Sequence, residues 1–412
     1  MSPQNGEFSM PYPTDIDTGG IGARIAELRQ VRGYSLRQLG QRAHVSHGML
    51  AMIEKGDRNA SEAIVGAVAR ALGVGVSVLR GQPYREQLQQ DQIDQMLEPM
   101  GSALDNWDVP PADGAPAPRS VAELLESTME TRTMREQADL GQLATTLPGL
   151  LEELAHAVHL HDRPGRDREL LHWCQAEATR GVWRVAYRIG EMHLARLALS
   201  RMASASTESG DPRQVAIERW MRAQTSFENG KPGLEVGLRL LHQALRDLDD
   251  DGNVHTQAVR GSLYLKGSIL ASRQGDKDGA DAWLAEARGM ARRTGETTSY
   301  ELTFGPTNVA QHAVAAAADR DAHGEALELA RDVHLPEDYP PGRAGHFYLD
   351  LARAQVWTAQ HDAAFASLLK AKEVAPQQTR HHPQVHETAA ALRRARARIP
   401  DPLREFSLWC GV

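Results

Sequence analysis

The chain has 412 residues, 41% hydrophobic and 5% aromatic, with 46 basic and 54 acidic side chains and a formal net charge of -8. That length exceeds one ordinary domain, so two or three domains with sizeable cores are expected. Two cysteines, Cys174 and Cys410, exclude a disulfide framework or cysteine-rich zinc module and point to a reducing, cytoplasmic compartment; with no basic start followed by an apolar run, and no stretch near ~18 apolar residues, neither a signal peptide nor a membrane span is expected.

Residues 1–20 are polar, carry Pro11, Pro13, Gly19 and Gly20, and read as a disordered arm. The next stretch, 21–80, holds nine Lys/Arg against four Asp/Glu, which leaves 37 basic and 50 acidic residues elsewhere. A small basic module suited to a polyanion therefore precedes an acidic body. The module reads as five short helices. Ile21, Ile25 and Leu28 share one face of the first, which Gly33 stops. Ser35 caps LRQLGQRA, the chain turns at His44-Val45, Ser46 caps HGMLAMIEKG, Ser61 caps EAIVGAVARALG, and VSVLRG closes the module. Gly40 lies mid-helix, where glycine costs ~1 kcal/mol relative to alanine; close approach of another helix justifies it. Leu39, Ala43, Val45, Leu50 and Ile53 are expected inside, and Arg37, Gln41, His47 and Met52 outside.

Arg29, Ser35-Leu36, Gly40, Val45-Ser46, Ile53-Glu54, Gly56 and Arg58 together resemble the helix-turn-helix of the phage-repressor-type (XRE) family over 21–80. The resemblance implies a structural ion pair between Arg29 and Glu54. It also implies a recognition helix over 46–55, its N-terminal end in the major groove of double-stranded DNA. His47 then donates to a guanine or a phosphate, Gly48 permits close approach, and Met49 and Met52 meet thymine methyls. Ser46, Arg37, Lys55, Arg58 and Asn59 are placed for phosphates. Two positions depart from the pattern. His44 stands where glycine is frequent and must take a strained or left-handed backbone; Leu36 replaces a glutamine that often touches the DNA backbone. No Arg or Asn reads bases from this helix, so modest or partly indirect specificity is expected.

Residues 81–120 form a connection. Ile93, Met96, Leu97, Met100 and Leu104 recur at helical spacing, with Pro99 expected to limit or kink that helix. DNWDVPPADGAPAPRS (105–120) reads as an extended linker.

From 121 to 412 only helical periodicity is seen, with self-similar copies. Numbered from Gly345, the clearest has Tyr348 at position 4, Leu351 at 7, Ala352 at 8, Ala364 at 20, Leu368 at 24, Ala371 at 27 and Pro376 at 32. From Gly261, Tyr264, Ala280, Leu284 and Ala287 repeat positions 4, 20, 24 and 27; weaker copies start near Ala176, Glu218 and Thr307. This resembles the tetratricopeptide (TPR) pattern, in which small residues let antiparallel helices approach and hairpins stack. The fold class expected is all-α: a five-helix helix-turn-helix domain followed by a TPR-like α-solenoid.

In such repeats positions 2, 5, 9 and 12 face a concave groove. Here they include Glu177, Arg180, Arg184 and Tyr187, then Arg219, Arg222, Ser226 and Asn229; the third repeat gives Ser262, Leu265, Ile269 and Ser272, the fourth Asn308, Gln311, Ala315 and Ala318, the last His346, Leu349, Arg353 and Val356. Five arginines against one acid suggest an anionic ligand or a peptide with a carboxylate. The ligand candidates are Arg180, Arg184, Tyr187, Arg219, Arg222, Asn229, Asn308, Gln311, His346 and Arg353, with Pro306 suited to a helix's first turn.

No phosphate-binding loop, dinucleotide fingerprint, HExxH or GxSxG occurs, so no enzyme, cofactor or metal is expected. His156, His159 and His161 read as surface histidines. An XRE head on a TPR body resembles ligand-controlled regulators of the kind found in high-GC bacteria. The resemblance implies a homodimer on a pseudo-palindromic operator, with a peptide or small-molecule effector. The other reading is a TPR interaction scaffold or inhibitor with a vestigial helix-turn-helix.

Overall fold

The computed structural model describes residues 21–80, 90–137, 139–226, 230–395 and 400–410. The expected arm over 1–20 and the start of the connection, 81–89, lie outside them. Helices dominate, and the one extended pairing among the described residues is an isolated bridge between Thr297 and Phe304. The fold class is all-α, as the periodicity requires.

The head consists of α1 (Ile21–Val31), α2 (Leu36–Ala43), α3 (His47–Glu54), α4 (Glu62–Leu72) and α5 (Val76–Leu79). The connection contains α6 (Gln90–Asp105), which runs through Pro99 as one helix. Next come α7 (Val121–Gln137) and α8 (Leu140–Leu160). Ten helices follow in chain order, in successive pairs: α9 (Arg166–Ile189) and α10 (Met192–Glu208), α11 (Pro212–Ser226) and α12 (Gly230–Asp247), α13 (Val254–Arg273) and α14 (Lys277–Thr294), α15 (Pro306–Asp319) and α16 (His323–Ala330), and α17 (Pro341–Trp357) and α18 (His361–Val374). α19 (Pro376–His381), α20 (Pro383–Arg394) and α21 (Asp401–Cys410) end the described chain. Each repeat start read from the sequence falls in the first helix of one of these successive pairs.

The described residues divide into two compact units. One takes 90–222; the other takes the head together with 223–410. In the first, α9 is buried along most of its length. A Cβ on Gly181 would sit 3.0 Å from the Leu147 side chain, so glycine there lets α8 lie close against α9. The fully buried Arg135 donates to the Glu177 carboxylate at 2.6 Å and to its carbonyl at 2.7 Å. Gln214 Nε2 donates to the other Glu177 oxygen at 3.2 Å. Glu177, a groove position by the repeat pattern, is here the acceptor at the centre of an interior polar cluster, which is how a buried carboxylate is tolerated.

In the second unit the repeat signature acts as packing. Ala280, Leu284 and Ala287 are buried in one cluster with Leu265, Ile269 and Phe304, and Tyr264 packs on it. A Cβ on Gly261 would lie 1.9 Å from the Phe304 ring, and one on Gly267 would lie 2.4 Å from the Trp283 indole. Both glycines make room for aromatic rings on α13. In the last hairpin Ala352, Ala364, Leu368 and Ala371 are buried together with Val385 and Ala389 of α20 and Leu403 and Phe406 of α21. Two of the motif's three small positions thus lie at helix crossings in both repeats.

Candidate nucleic-acid interface

The helix-turn-helix is built as its sequence demands. Ser35 and Gln38 form a reciprocal capping box at the start of α2. His44 ends that helix with φ 54 and ψ 38, the left-handed backbone expected of it. Ser46 then caps α3, its hydroxyl accepting from the Met49 amide at 3.2 Å. A Cβ on Gly40 would fall 2.6 Å from the Val45 carbonyl oxygen, so the turn can lie on α2 only because that position is glycine. Gly22, unremarked in the sequence, does the same for α1: a Cβ there would be 2.0 Å from the Ile53 carbonyl oxygen.

Arg29 and Glu54 form a bidentate pair, both bonds at 2.7 Å, and Arg29 also donates to the Tyr34 carbonyl at 2.9 Å. The pair ties α1 to the last turn of α3 and to the start of the α2 segment. Leu39, Ala43, Leu50 and Ile53 are buried in the head's own core; Val45 and Leu36 pack on it half-buried.

With α3 held from behind, its other face is open. Ser46, His47, Gly48 and Met52 are exposed, as are Arg37 on α2 and Lys55, Arg58 and Asn59 after α3. Met49 differs: it is half-buried and packs on the head core, which limits how much of it can meet a base. The exposed set offers hydroxyl and imidazole donors at the helix N-terminus with cations on either side, a distribution suited to a groove edged by phosphates.

The candidate ligand residues are spread over both units. In the first, Arg180 is buried 3.6 Å from Glu177. Arg184 lies over the Trp183 ring at 5.9 Å, and Tyr187 stacks on that ring at 4.9 Å. Arg219 is half-buried; Arg222 is exposed and paired with Glu218 on its own helix at 2.8 Å. Asn229 lies outside the described residues. In the second unit Asn308, Gln311, His346 and Arg353 are all buried. So are Ser262, Leu265, Ile269 and Ser272, where an open groove wall would be exposed. Arg353 is held by carboxylates: Asp319 at 3.3 Å, Asp350 at 3.7 Å and Glu27 at 3.9 Å. Burial pushes the Asp350 carboxyl up to about 6, against the downward pull of Arg353.

Pro306 opens α15 as expected, and the Thr307 amide donates to Glu296 at 2.7 Å. Asn308 Nδ2 donates to the Thr303 carbonyl, and Gln311 Oε1 accepts from the Tyr339 hydroxyl at 3.0 Å. Their other ends, Asn308 Oδ1 and Gln311 Nε2, are buried with no hydrogen-bond partner. An open acceptor and an open donor thus stand one helical turn apart. Around them sequence reasoning missed four buried residues: Lys266, His312, Tyr339 and Arg343. His312 Nδ1 donates to the Asn308 carbonyl at 2.9 Å. Burial, then the nearby cations of Arg343 and Lys266, push its pKa down to about 3. Lys266 falls on no groove position of the repeat, so the pattern gave no reason to single it out. Among the described residues no cluster could hold a metal ion, and no helix is long and apolar enough to cross a membrane.

Comparison with known proteins places the head in a class. A family described as Helix-turn-helix matches residues 25–79, so the head is a helix-turn-helix domain. Among solved structures, Bacillus thuringiensis PlcR, in complex with the peptide PapR7 and DNA, aligns over 91% of this chain and 99% of its own at 12% identity, with a TM-score of 0.27. No curated protein matches the chain.

Proposed function

We propose that the protein is a sequence-specific transcriptional regulator in which α3 reads the major groove. The observation that carries this is the division of α3 into two faces. Leu50, Ile53 and Glu54 are fixed to the head, while Ser46, His47, Gly48 and Met52 stand exposed beside Arg37, Lys55 and Arg58. In this reading the protein acts as a homodimer, so that two α3 helices meet half-sites about one DNA turn apart. The effector, a peptide or small anionic molecule, meets the open amide ends of Asn308 and Gln311, with Lys266 and Arg343 supplying positive charge.

Selection of bound sequences from a random duplex pool by the full-length protein tests the reading. A recovered inverted repeat is expected. His47→Ala should alter the recovered bases, whereas Arg58→Ala should weaken binding without altering them. Recovery of unenriched sequence would instead favour an interaction scaffold with a vestigial head.

A further inference from the structure

The head does not stand apart from all of the helical repeats: it shares one compact unit with residues 223–410. The head's apolar core is complete in itself, drawn only from residues between Ile21 and Leu79. Among the described residues, polar contacts run between head and repeats. Glu27 on α1 lies 3.9 Å from Arg353 on α17, and Arg32 pairs with Glu387 on α20 at 3.1 Å. The Lys231 amide, at the start of α12, donates to the Gly56 carbonyl at 2.8 Å, and its ammonium lies 3.8 Å from Asp57. A domain with its own core, joined to its neighbour through contacts that include ion pairs, can change pose without unfolding.

Two further facts give that contact a direction. First, it is made by α1 and by the loop after α3, and it leaves the outer face of α3 exposed; the contact sets the orientation of the reading face without covering it. Second, Arg353 is shared. Its other partners are Asp319, the last residue of α15, and Asp350, midway along α17. Those same two helices carry Asn308, Gln311 and Arg343 near their N-terminal ends. From Asn308 to Asp319 the α15 axis rises about 16 Å, a stiff connection that cannot shift at one end alone.

We infer that Glu27–Arg353 and Arg32–Glu387 form an ionic seat that fixes the pose of the DNA-binding head on the repeats, and that opening this seat is how a displacement of α15 or α17 reaches the recognition helix. The seat itself is independent of what the head binds; its consequence for DNA rests on the regulator reading above.

The test is a distance measurement in the full-length protein, with spin labels on Gln41→Cys in α2 and Ala285→Cys in α14. Both positions are exposed, and the native cysteines are buried. The wild-type background should give one narrow distance. Glu27→Gln with Glu387→Gln removes the charge from one side of each pair while leaving Arg353 its two body carboxylates; the open fraction should rise about tenfold. Glu27→Lys, which sets a cation against Arg353, should open the seat at least as far. Glu325→Gln, which removes the surface pair with Lys277, should leave the distance narrow. Unchanged distances in both seat variants would overturn the proposal, as would equal broadening by Glu325→Gln. DNA from upstream of the protein's own coding sequence forms a separate arm. If the wild type fails to bind it, the regulator reading fails while the distances still decide the seat.

Discussion

His44 shows how far one residue's conformation can be read ahead of a structure. The turn between α2 and α3 needs a left-handed residue, and the imidazole-bearing backbone takes it at φ 54. Relief of that strain should stabilise the head: His44→Gly is expected to add about 1 kcal/mol, seen as slower amide exchange across α2 and α3. The Arg29–Glu54 pair was equally legible, because the family pattern carries it. Arg29→Met leaves the Glu54 carboxylate, 8% exposed, without its partner. A loss of about 3 kcal/mol is expected, read as roughly a hundredfold drop in exchange protection of α1 and α3. The Arg135–Glu177 interaction was not legible: its members lie 42 residues apart, and no local pattern joins them. His312 was missed because, counted from Thr307, it falls on no groove position. Its pKa falls from an ordinary 6.5 to about 3 on burial, so the folded state holds the neutral ring. The stability this contributes is fully present above pH 6.5 and is lost as pH falls toward 3. Between pH 7 and pH 5 the loss from this residue should be about 2 kcal/mol. His312→Gln should flatten that slope, with exchange in α15, corrected for intrinsic rates, as the readout.

At the scale of elements, the hairpins were legible because their signal is steric and periodic. Alanines at helix crossings recur at fixed spacing, and the structure buries them. The glycines on α13 belong to the same logic but depend on which ring faces them. Gly261→Ala drives a methyl into Phe304 and should destabilise the second unit by about 3 kcal/mol; the double variant with Phe304→Leu should recover much of that loss, a coupling that independent sites would not show. Helix α6 shows that Pro99 does not end the helix. Pro99 was expected to limit or kink it, yet the helix continues from Gln90 to Asp105, with Leu97, Met100, Ala103 and Leu104 buried. Apolar burial outweighed one lost backbone hydrogen bond. On the DNA side, the cations flanking α3 act through phosphates, so Arg58→Ala should lower the slope of log affinity against log salt by about one.

Across the whole chain, the sequence announced a basic head and an acidic helical body but not their division. The second compact unit joins the head to residues 223–410, through an ion pair between residues 355 positions apart. Charge pairs at such separations leave no periodic trace. The groove positions of the repeat pattern told a similar partial story. Pattern alone named Asn308, Gln311 and Arg353 as facing residues; whether such a residue meets solvent, a carboxylate or a ligand depends on what packs opposite, which only the assembled chain decides. The central claim is that the exposed face of α3 reads DNA sequence. Fluorescence anisotropy of the full-length protein, on DNA from upstream of its own coding sequence and on a scrambled duplex across a salt series, tests it most directly. Binding that prefers the native sequence and weakens steeply with salt, with His47→Ala erasing the preference, is the predicted result. Equal affinity for both duplexes, unchanged by His47→Ala, would contradict it.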